Sequence, residues 1–154
     1  MLGLTLYLSL KFIHVLLAIV AIGFNMSYGI WINRAAKEPE HEGHVLRGIK
    51  ILDDRFANPA YGLLLVTGVT TALVGHLSFG QFWLAMALGL YGLLLVVAAA
   101  VFTPTLRKQI EVLETEGRES PAYARLATRS QVSGIFLGVT VLAIVFLMVT
   151  KPTF

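Results

Sequence analysis

The sequence contains no cysteine and little charge. Without cysteine, the chain forms no disulfide, binds no iron–sulfur cluster or thiolate-bound zinc, and performs no thiol catalysis. Charged residues make up 14% of the chain, whereas soluble domains contain roughly 25%. The sequence also has no phosphate-binding loop, nucleotide fingerprint or nucleophile–base pair. These absences argue against a soluble enzyme and favour a protein without catalytic activity.

The charged residues fall into two blocks, and long apolar segments separate them. The blocks are 34–55 and 107–129, and only Lys11 and Lys151 lie outside them. The segments between are apolar over about 18 to 25 residues, the length that crosses ~30 Å of hydrocarbon. We therefore predict an all-α integral membrane protein, a single four-helix up-down-up-down bundle. Its predicted spans are residues 7–32, 59–76, 82–103 and 130–150, with loops at 33–58 and 104–129.

Proline follows a polar residue at three predicted helix boundaries. Asn58 before Pro59, and Ser120 before Pro121, have the pattern of an N-cap followed by a first-turn proline. A helix is expected to begin sharply at each of them. At Thr103–Pro104 the third span is expected either to stop or to continue into the loop.

Lysine and arginine are distributed unequally between the two sides of the predicted bundle. The two loops contain ten of them, against Lys11 and Lys151 on the opposite side. Because cytoplasmic loops are enriched in Lys and Arg, both loops are predicted to be cytoplasmic and both termini to lie outside. This orientation also explains the pI of about 9.4, so we expect membrane lipids as partners and no nucleic acid.

The predicted loops carry patterns of their own. The apolar positions Val45, Ile49, Leu52 and Phe56 predict an amphipathic helix on the membrane surface or against the bundle. A turn is expected at Gly117 in the second loop. Every Asp and Glu falls within these loops, so no carboxylate is expected in the membrane and the usual proton relay of a pump is missing.

The first span carries a stripe of polar and small residues. Its members are spaced 3, 4, 3, 4, 3, which keeps them on one helical face directed into the bundle. Lys11 is expected to reach the outer interface, with His14 just beneath it and Asn25 in the inner half. For Asn25 we expect an interhelical hydrogen bond that sets the register. The stripe comprises Lys11, His14, Ala18, Ala21, Asn25 and Tyr28.

Three hypotheses compete for His14. The first is a hydrogen bond to a carbonyl or hydroxyl of a neighbouring helix. The second is axial ligation of b-type haem or another tetrapyrrole, with His76 or Lys11 as the second ligand. The third is a proton relay or a copper site. His76 is predicted at nearly the depth of His14, but the rotation of the second span does not follow from sequence.

Small residues mark surfaces at which helices can approach closely. Ser130, Gly134 and Gly138 recur at every fourth position of the last span, and Gly68 lies in the second. Such ridges drive helix association where lipid supplies no hydrophobic driving force. They serve packing within the bundle or contact in a homo-oligomer or larger complex.

Three stretches together resemble a bacterial family of predicted integral membrane proteins, domain of unknown function 2269. They are "LKFIHVLLAIVAIGFNMSYGIW", "DDRFANPAYGLLLVTGV" and "YARLATRSQVSGIFLGVTVLAIVFLMVTKP". The resemblance implies this membrane fold and the bacterial inner membrane, but no activity. A more distant similarity, carried by Lys11 and His14, is to the copper-resistance membrane domain and to membrane-bound protoporphyrinogen oxidase. It implies a haem or metal at His14.

Three functions remain open. The preferred one is a small accessory, non-catalytic subunit or helper of a larger inner-membrane complex. The alternative is a haem- or tetrapyrrole-binding membrane protein with His14 as a ligand. A small transporter is the weaker alternative, since no intramembrane carboxylate is expected.

Overall fold

Helices make up nearly all of the structure. A computed structural model describes residues 2–153, and these contain no strand. Four continuous helical stretches among them are long and apolar enough to cross a membrane, which confirms the all-α architecture. The elements are α1 (Leu2–Ala35), α2 (Pro39–Leu52), a first π-helical turn (Asp53–Ala57), α3 (Asn58–Val74), α4 (Phe82–Val97), a second π-helical turn (Ala98–Phe102), α5 (Thr103–Thr115) and α6 (Pro121–Thr150).

The segments predicted as loops are largely helical. α2 continues through the first π turn into α3, so Pro39–Val74 is one 36-residue helical stretch. At 1.5 Å per residue it is about 54 Å long, whereas the hydrocarbon core is only ~30 Å thick. The stretch is therefore longer than the hydrocarbon core by about 24 Å, and a part of it must lie outside that core when it spans the membrane. The predicted amphipathic helix is present and packs on the bundle through Leu46 and Ile49, although Phe56 is 52% exposed.

The two π turns let the helices continue through proline. Proline lacks an N–H, and its ring clashes with the carbonyl four residues earlier. Each π turn ends directly before a polar–proline pair, Asn58–Pro59 or Thr103–Pro104, and its wider hydrogen-bonding ring relieves that clash. The prediction that Asn58 is the N-cap of a sharply starting helix is therefore wrong, because Asn58 has helical angles and α3 continues directly from the π turn before it. Ser120 is an N-cap as predicted, and its hydroxyl accepts a hydrogen bond from the Ala122 N–H at 3.1 Å.

The bundle consists of two helix pairs. α1 packs along α3, and α4 packs along α6. At one end α2 packs against α1 and α5, and α5 packs against α6; this is called the α2–α5 end. At the opposite end, called the terminal end, α1 begins, α6 finishes, and residues 75–81 link α3 to α4. Large apolar side chains on every long helix point outward, as lipid-facing surfaces require.

A polar network holds the α2–α5 end together. Glu42 is 5% exposed and accepts a hydrogen bond from the Tyr123 hydroxyl at 2.6 Å. Arg118 forms an ion pair with Glu42 at 3.2 Å and donates to the Ala36 carbonyl at 2.6 Å. Gln109 donates to the Tyr123 oxygen at 3.3 Å. The contacts tie α2, α5 and α6 to the end of α1, so this region is a packed subdomain. The predicted turn is at Gly117, whose φ is +82°.

Candidate functional site

A cavity of about 380 Å³ separates the two helix pairs towards the terminal end. We call it the His14 cavity. All four membrane helices line it, mainly with aliphatic and aromatic side chains. Its volume falls within the range of roughly 300–1,000 Å³ of small-molecule sites. The side chains with a polar atom that line it are Tyr7, Lys11, His14, Tyr61, Thr71, Trp83, Tyr91 and Lys151.

His14 is held by a hydrogen bond to a neighbouring helix. Its Nδ1 lies 3.1 Å from Thr67 Oγ1 on α3. The Thr67 hydroxyl in turn lies 2.8 Å from the Leu63 carbonyl and 3.2 Å from the Leu64 carbonyl, and either can accept its proton. When the hydroxyl donates to a backbone carbonyl, its oxygen can accept an Nδ1–H, and in that tautomer the neutral imidazole carries its lone pair on Nε2. His14 is therefore half-buried with one nitrogen engaged and the other available.

The ring of His14 packs directly on Gly68. A Cβ at position 68 would lie 2.8 Å from His14 Cε1 and 3.3 Å from Nδ1. Any side chain at this position would displace the imidazole. Gly68, predicted as a helix-packing residue, thus accommodates the His14 side chain of α1 and not a neighbouring backbone.

His76 lies away from His14 and has a structural role of its own. It follows Gly68 by eight residues, about 12 Å along the helix axis, and it does not line the His14 cavity. Its φ is +52°, and its N–H bonds the Leu73 carbonyl at 3.1 Å while the Leu77 N–H bonds the Ala72 carbonyl at 2.9 Å. These two bonds form a Schellman motif, with His76 in the left-handed position that ends α3. Of the predicted second ligands, Lys11 lines the cavity and His76 is exposed.

A buried carboxylate lies deeper in the bundle. Asp53 is 4% exposed, and its Oδ2 accepts hydrogen bonds from Thr103 Oγ1 at 3.1 Å and Asn58 Nδ2 at 3.3 Å. We call these three residues the Asp53 cluster. The prediction that every acidic residue lies in a loop is wrong: Asp53 opens a π-helical turn and is buried, and Glu42 is buried within α2. The sequence does not reveal the burial of Asp53, because the two polar–proline pairs predict helix boundaries. In the structure both pairs follow π turns within continuous helical stretches.

Tyr61 connects the Asp53 cluster to the His14 cavity. A small pocket of about 10 Å³, the size of one water molecule, is lined by Asn25, Asp53 and Tyr61 among others. Tyr61 lines the larger cavity as well. Asn25 donates a hydrogen bond to the Tyr61 hydroxyl, and the Tyr91 hydroxyl donates to the Tyr61 carbonyl at 2.7 Å. Polar groups therefore continue from one site to the other through the core.

The remaining predicted residues lie at packed positions of the bundle. Tyr28 is 3% exposed and Ser130 is 2% exposed, and neither hydroxyl oxygen has a hydrogen-bond partner among the described residues. Gly134 faces Phe102, whose Cε2 lies 3.6 Å from where a Cβ would be. At Gly138 a Cβ would meet nothing within 4 Å. The ridge on α6 thus contacts an aromatic ring at Gly134 and leaves open space at Gly138.

Comparison with protein families matches residues 8–152 to the family described as "Predicted integral membrane protein (DUF2269)". The match covers nearly the whole chain, so the protein belongs to this family. Searches of curated proteins and of solved structures give no significant match.

Proposed function

We propose that this member of the family binds a hydrophobic small molecule in the His14 cavity. The cavity itself is the observation that supports the proposal. Protein interiors are close-packed, with few voids larger than a water molecule. The opening of about 380 Å³ between the four helices is far larger than a water molecule, so its wall residues lack packing partners. A bound molecule supplies those contacts.

Filling the cavity tests the proposal. Ala18 lines the cavity, and Ala18→Phe places an aromatic ring inside it. Leu16 is 48% exposed and does not line the cavity, so Leu16→Phe is the matched control on the same helix. Native mass spectrometry of the purified protein is expected to show a retained small molecule in the wild type and in Leu16→Phe, and its loss in Ala18→Phe. Equal occupancy in all three proteins contradicts the proposal.

A tetrapyrrole is a second candidate, favoured by the contact between His14 and Thr67. Histidines that bind metals usually donate the other ring N–H to a protein oxygen, which orients the ring. The Nδ1–Thr67 contact provides that arrangement and leaves Nε2 as the ligand atom. In this proposal His14 is the principal ligand of b-type haem. Of the two predicted second ligands, Lys11 is the one that lines the same cavity. His76 is exposed and outside the cavity.

The visible spectrum tests the tetrapyrrole. Protein purified in mild detergent from haem-sufficient cells is expected to show a Soret band. His14→Ala removes the ligand and should abolish the band, and Thr67→Val should shift it because the imidazole loses its acceptor. His76→Gly is the control and should leave the band unchanged. A colourless wild-type protein rules the tetrapyrrole out.

An accessory role in a larger membrane complex is supported by exposed small residues on α4. Ala85, Gly89 and Gly92 face outward, and a Cβ on either glycine would meet nothing within 4 Å. Another helix, from a different subunit or from a second copy, can approach closely there. Partners are expected to co-purify from native membranes with the wild type and to be lost with Gly89→Leu. A wild-type protein that always purifies alone contradicts this role.

A transport role receives support from the Asp53 cluster alone. Buried acidic residues within membrane bundles mark ion and proton pathways. In proteoliposomes the wild type is then expected to carry a proton flux that Asp53→Asn abolishes. Absence of flux in the wild type contradicts this role.

The proposed orientation puts both termini outside the bacterial inner membrane. It is supported by the ten Lys and Arg residues at the α2–α5 end and in its connections. Because the chain has no cysteine, a single Ser78→Cys substitution in the 75–81 link reports on topology without interference. A membrane-impermeant maleimide is expected to label it from outside the inner membrane. Labelling only after the membrane is opened reverses the orientation.

A further inference from the structure

Two lysines lie at the mouth of the His14 cavity. Lys11 on α1 and Lys151 after α6 both line it, and both residues are exposed. Neither forms an ion pair within residues 2–153. All nine acidic residues of the chain lie in segments 38–54 and 111–119, at the α2–α5 end. The cavity mouth therefore carries positive charge without nearby carboxylates from those segments.

The position of Lys151 is set by the end of α6. Its backbone is left-handed, with φ +45°, and its N–H bonds the Leu147 carbonyl at 2.9 Å. Its Nζ lies 5.3 Å from the ring centroid of Trp83. Trp83 lines the cavity and is 5% exposed. A cation–π contact thus holds the ammonium group beside the cavity wall.

Behind this charged mouth the cavity is long and apolar. Along α1 its lining extends from Tyr7 to Ile22, about 22 Å at 1.5 Å per residue. At its inner end it reaches Tyr61 and Leu94, which also line the small pocket beside Asp53. This shape suits an elongated hydrocarbon chain, with a polar group only at one end.

We infer that the His14 cavity binds an anionic amphiphile, with its carboxylate or phosphate group between Lys11 and Lys151 and its hydrocarbon tail along α1. The inference rests on the proposed function and specifies the ligand class. The lysines neutralise the head group at the interface, where each contributes attraction for anions. The aliphatic lining replaces the lipid surroundings of the tail. A fatty acid and an anionic phospholipid share this chemistry.

Quenching of Trp83 fluorescence measures the binding. Trp31 is 52% exposed and does not line the cavity, so a Trp31→Phe background leaves Trp83 as the only reporter. Full-length protein in mild detergent is titrated with a brominated fatty acid and with the brominated fatty alcohol of equal length. The acid is expected to quench saturably at lower concentration than the alcohol. High salt should weaken the binding of the acid but not that of the alcohol, because salt screens the attraction between exposed charges.

Charge-removing variants identify the head-group site. Lys11→Gln and Lys151→Gln are each expected to raise the apparent Kd of the acid about fivefold, without changing the Kd of the alcohol. Lys37→Gln is the control, because Lys37 is exposed and outside the cavity. A second titration compares brominated phosphatidylglycerol with brominated phosphatidylcholine, to distinguish a phospholipid ligand from a fatty acid. If phosphatidylglycerol quenches at lower concentration and the fatty acid does not bind, the ligand is an anionic phospholipid.

Two outcomes distinguish a cavity that binds a different class of ligand from a cavity that binds none. If the acid and the alcohol bind with equal affinity, and neither lysine variant nor salt changes it, the cavity does not select an anionic head group. Binding of a hydrophobic molecule in the cavity is then still supported. If no brominated amphiphile quenches Trp83 saturably, the cavity does not bind amphiphiles. If Ala18→Phe also leaves the retained small molecule unchanged in native mass spectrometry, the cavity is not a binding site. Circular dichroism of each variant verifies that the helices are retained.

Discussion

The carboxylate of Asp53 accepts a hydrogen bond from the hydroxyl of Thr103 at 3.1 Å, across 50 residues of chain. Asp53 opens the first π turn and Thr103 directly follows the second. Both π turns precede a proline, so the same local distortion occurs on two neighbouring helices. π-Helical turns are frequent at functional sites. The pair fixes the continuous helix 39–74 against the continuous helix 82–115.

Loss of the Asp53 side chain is expected to destabilise the bundle. Asp53→Ala leaves the half-buried Thr103 Oγ1 without its acceptor, which costs about 1–3 kcal/mol, whereas Asn58 is exposed and can bind water instead. Glu114→Ala is the control, because both partners of its ion pair with Arg47 are about half exposed and exposed pairs contribute about 0–1 kcal/mol. Unfolding in mixed detergent, followed by tryptophan fluorescence, measures both. Equal stability of the two variants contradicts a structural role for Asp53.

The close contact between Gly68 and His14 predicts opposite effects of one substitution at two glycines. Gly68→Ala puts a Cβ 2.8 Å from the imidazole, and such overpacking costs about 1–3 kcal/mol. Gly62→Ala on the same helix meets nothing within 4 Å and should stabilise by up to about 1 kcal/mol, because alanine favours helix.

The double variant identifies the clash as the cause. Removing the imidazole with His14→Ala is expected to cancel most of the destabilisation by Gly68→Ala, so the two effects are not additive. Free energies of unfolding for the four proteins of this cycle provide the measurement. Additive effects mean that Gly68→Ala acts through another neighbour.

At position 76 glycine is expected to be more stable than histidine. The φ of +52° costs a side-chain-bearing residue about 1–2 kcal/mol, whereas glycine adopts it freely. His76→Gly should therefore raise the midpoint of unfolding, and His76→Val should lower it, since β-branched residues tolerate this conformation least. A loss of stability in His76→Gly would show that the imidazole makes a contact worth more than the backbone strain.

Glu42 is expected to support the α2–α5 end. Glu42→Ala removes the acceptor of Tyr123 and the partner of Arg118. Arg118 is 33% exposed and can regain water, so the expected cost is about 1–3 kcal/mol. Glu40→Ala on the exposed side of α2 should change the stability by less than about 0.5 kcal/mol. Limited proteolysis within 116–120 should accelerate only in Glu42→Ala, and unchanged cleavage contradicts the network's role.

The number and approximate place of the spans followed from hydropathy, but the helix ends did not. The third span was predicted at 82–103, and α4 with the second π turn covers 82–102. The first was predicted from residue 7, whereas α1 already includes Leu2. Hydropathy identifies the residues that need hydrocarbon, and a helix satisfies its own backbone equally well in water. The sequence therefore shows only in part that the membrane helices continue into the α2–α5 end.

The components of the site were visible in the sequence, but most of their partners were not. The spacing of Lys11, His14 and Asn25 placed them on one face of α1. Thr67, which holds His14, carries no distinguishing signal in the sequence, because helical threonines usually bond their own backbone and Thr67 makes that bond as well. Asp53 was assigned to a loop because the π turns were not expected. The contacts with Thr67, Tyr61 and Thr103 join positions 36 to 53 residues apart, and no local pattern specifies them.

By itself, the sequence determined that this protein is a helical membrane protein, which face of α1 carries polar groups, and that one end is rich in basic residues. The tertiary structure decided which polar groups meet, where a cavity is left, and that Asp53 is buried. Lipid and a helix core are both apolar, so the hydropathy of a membrane helix does not define its rotation about its own axis. Close packing defines it, through contacts such as His14 on Gly68 and through the π turns that change the phase of the residues that follow.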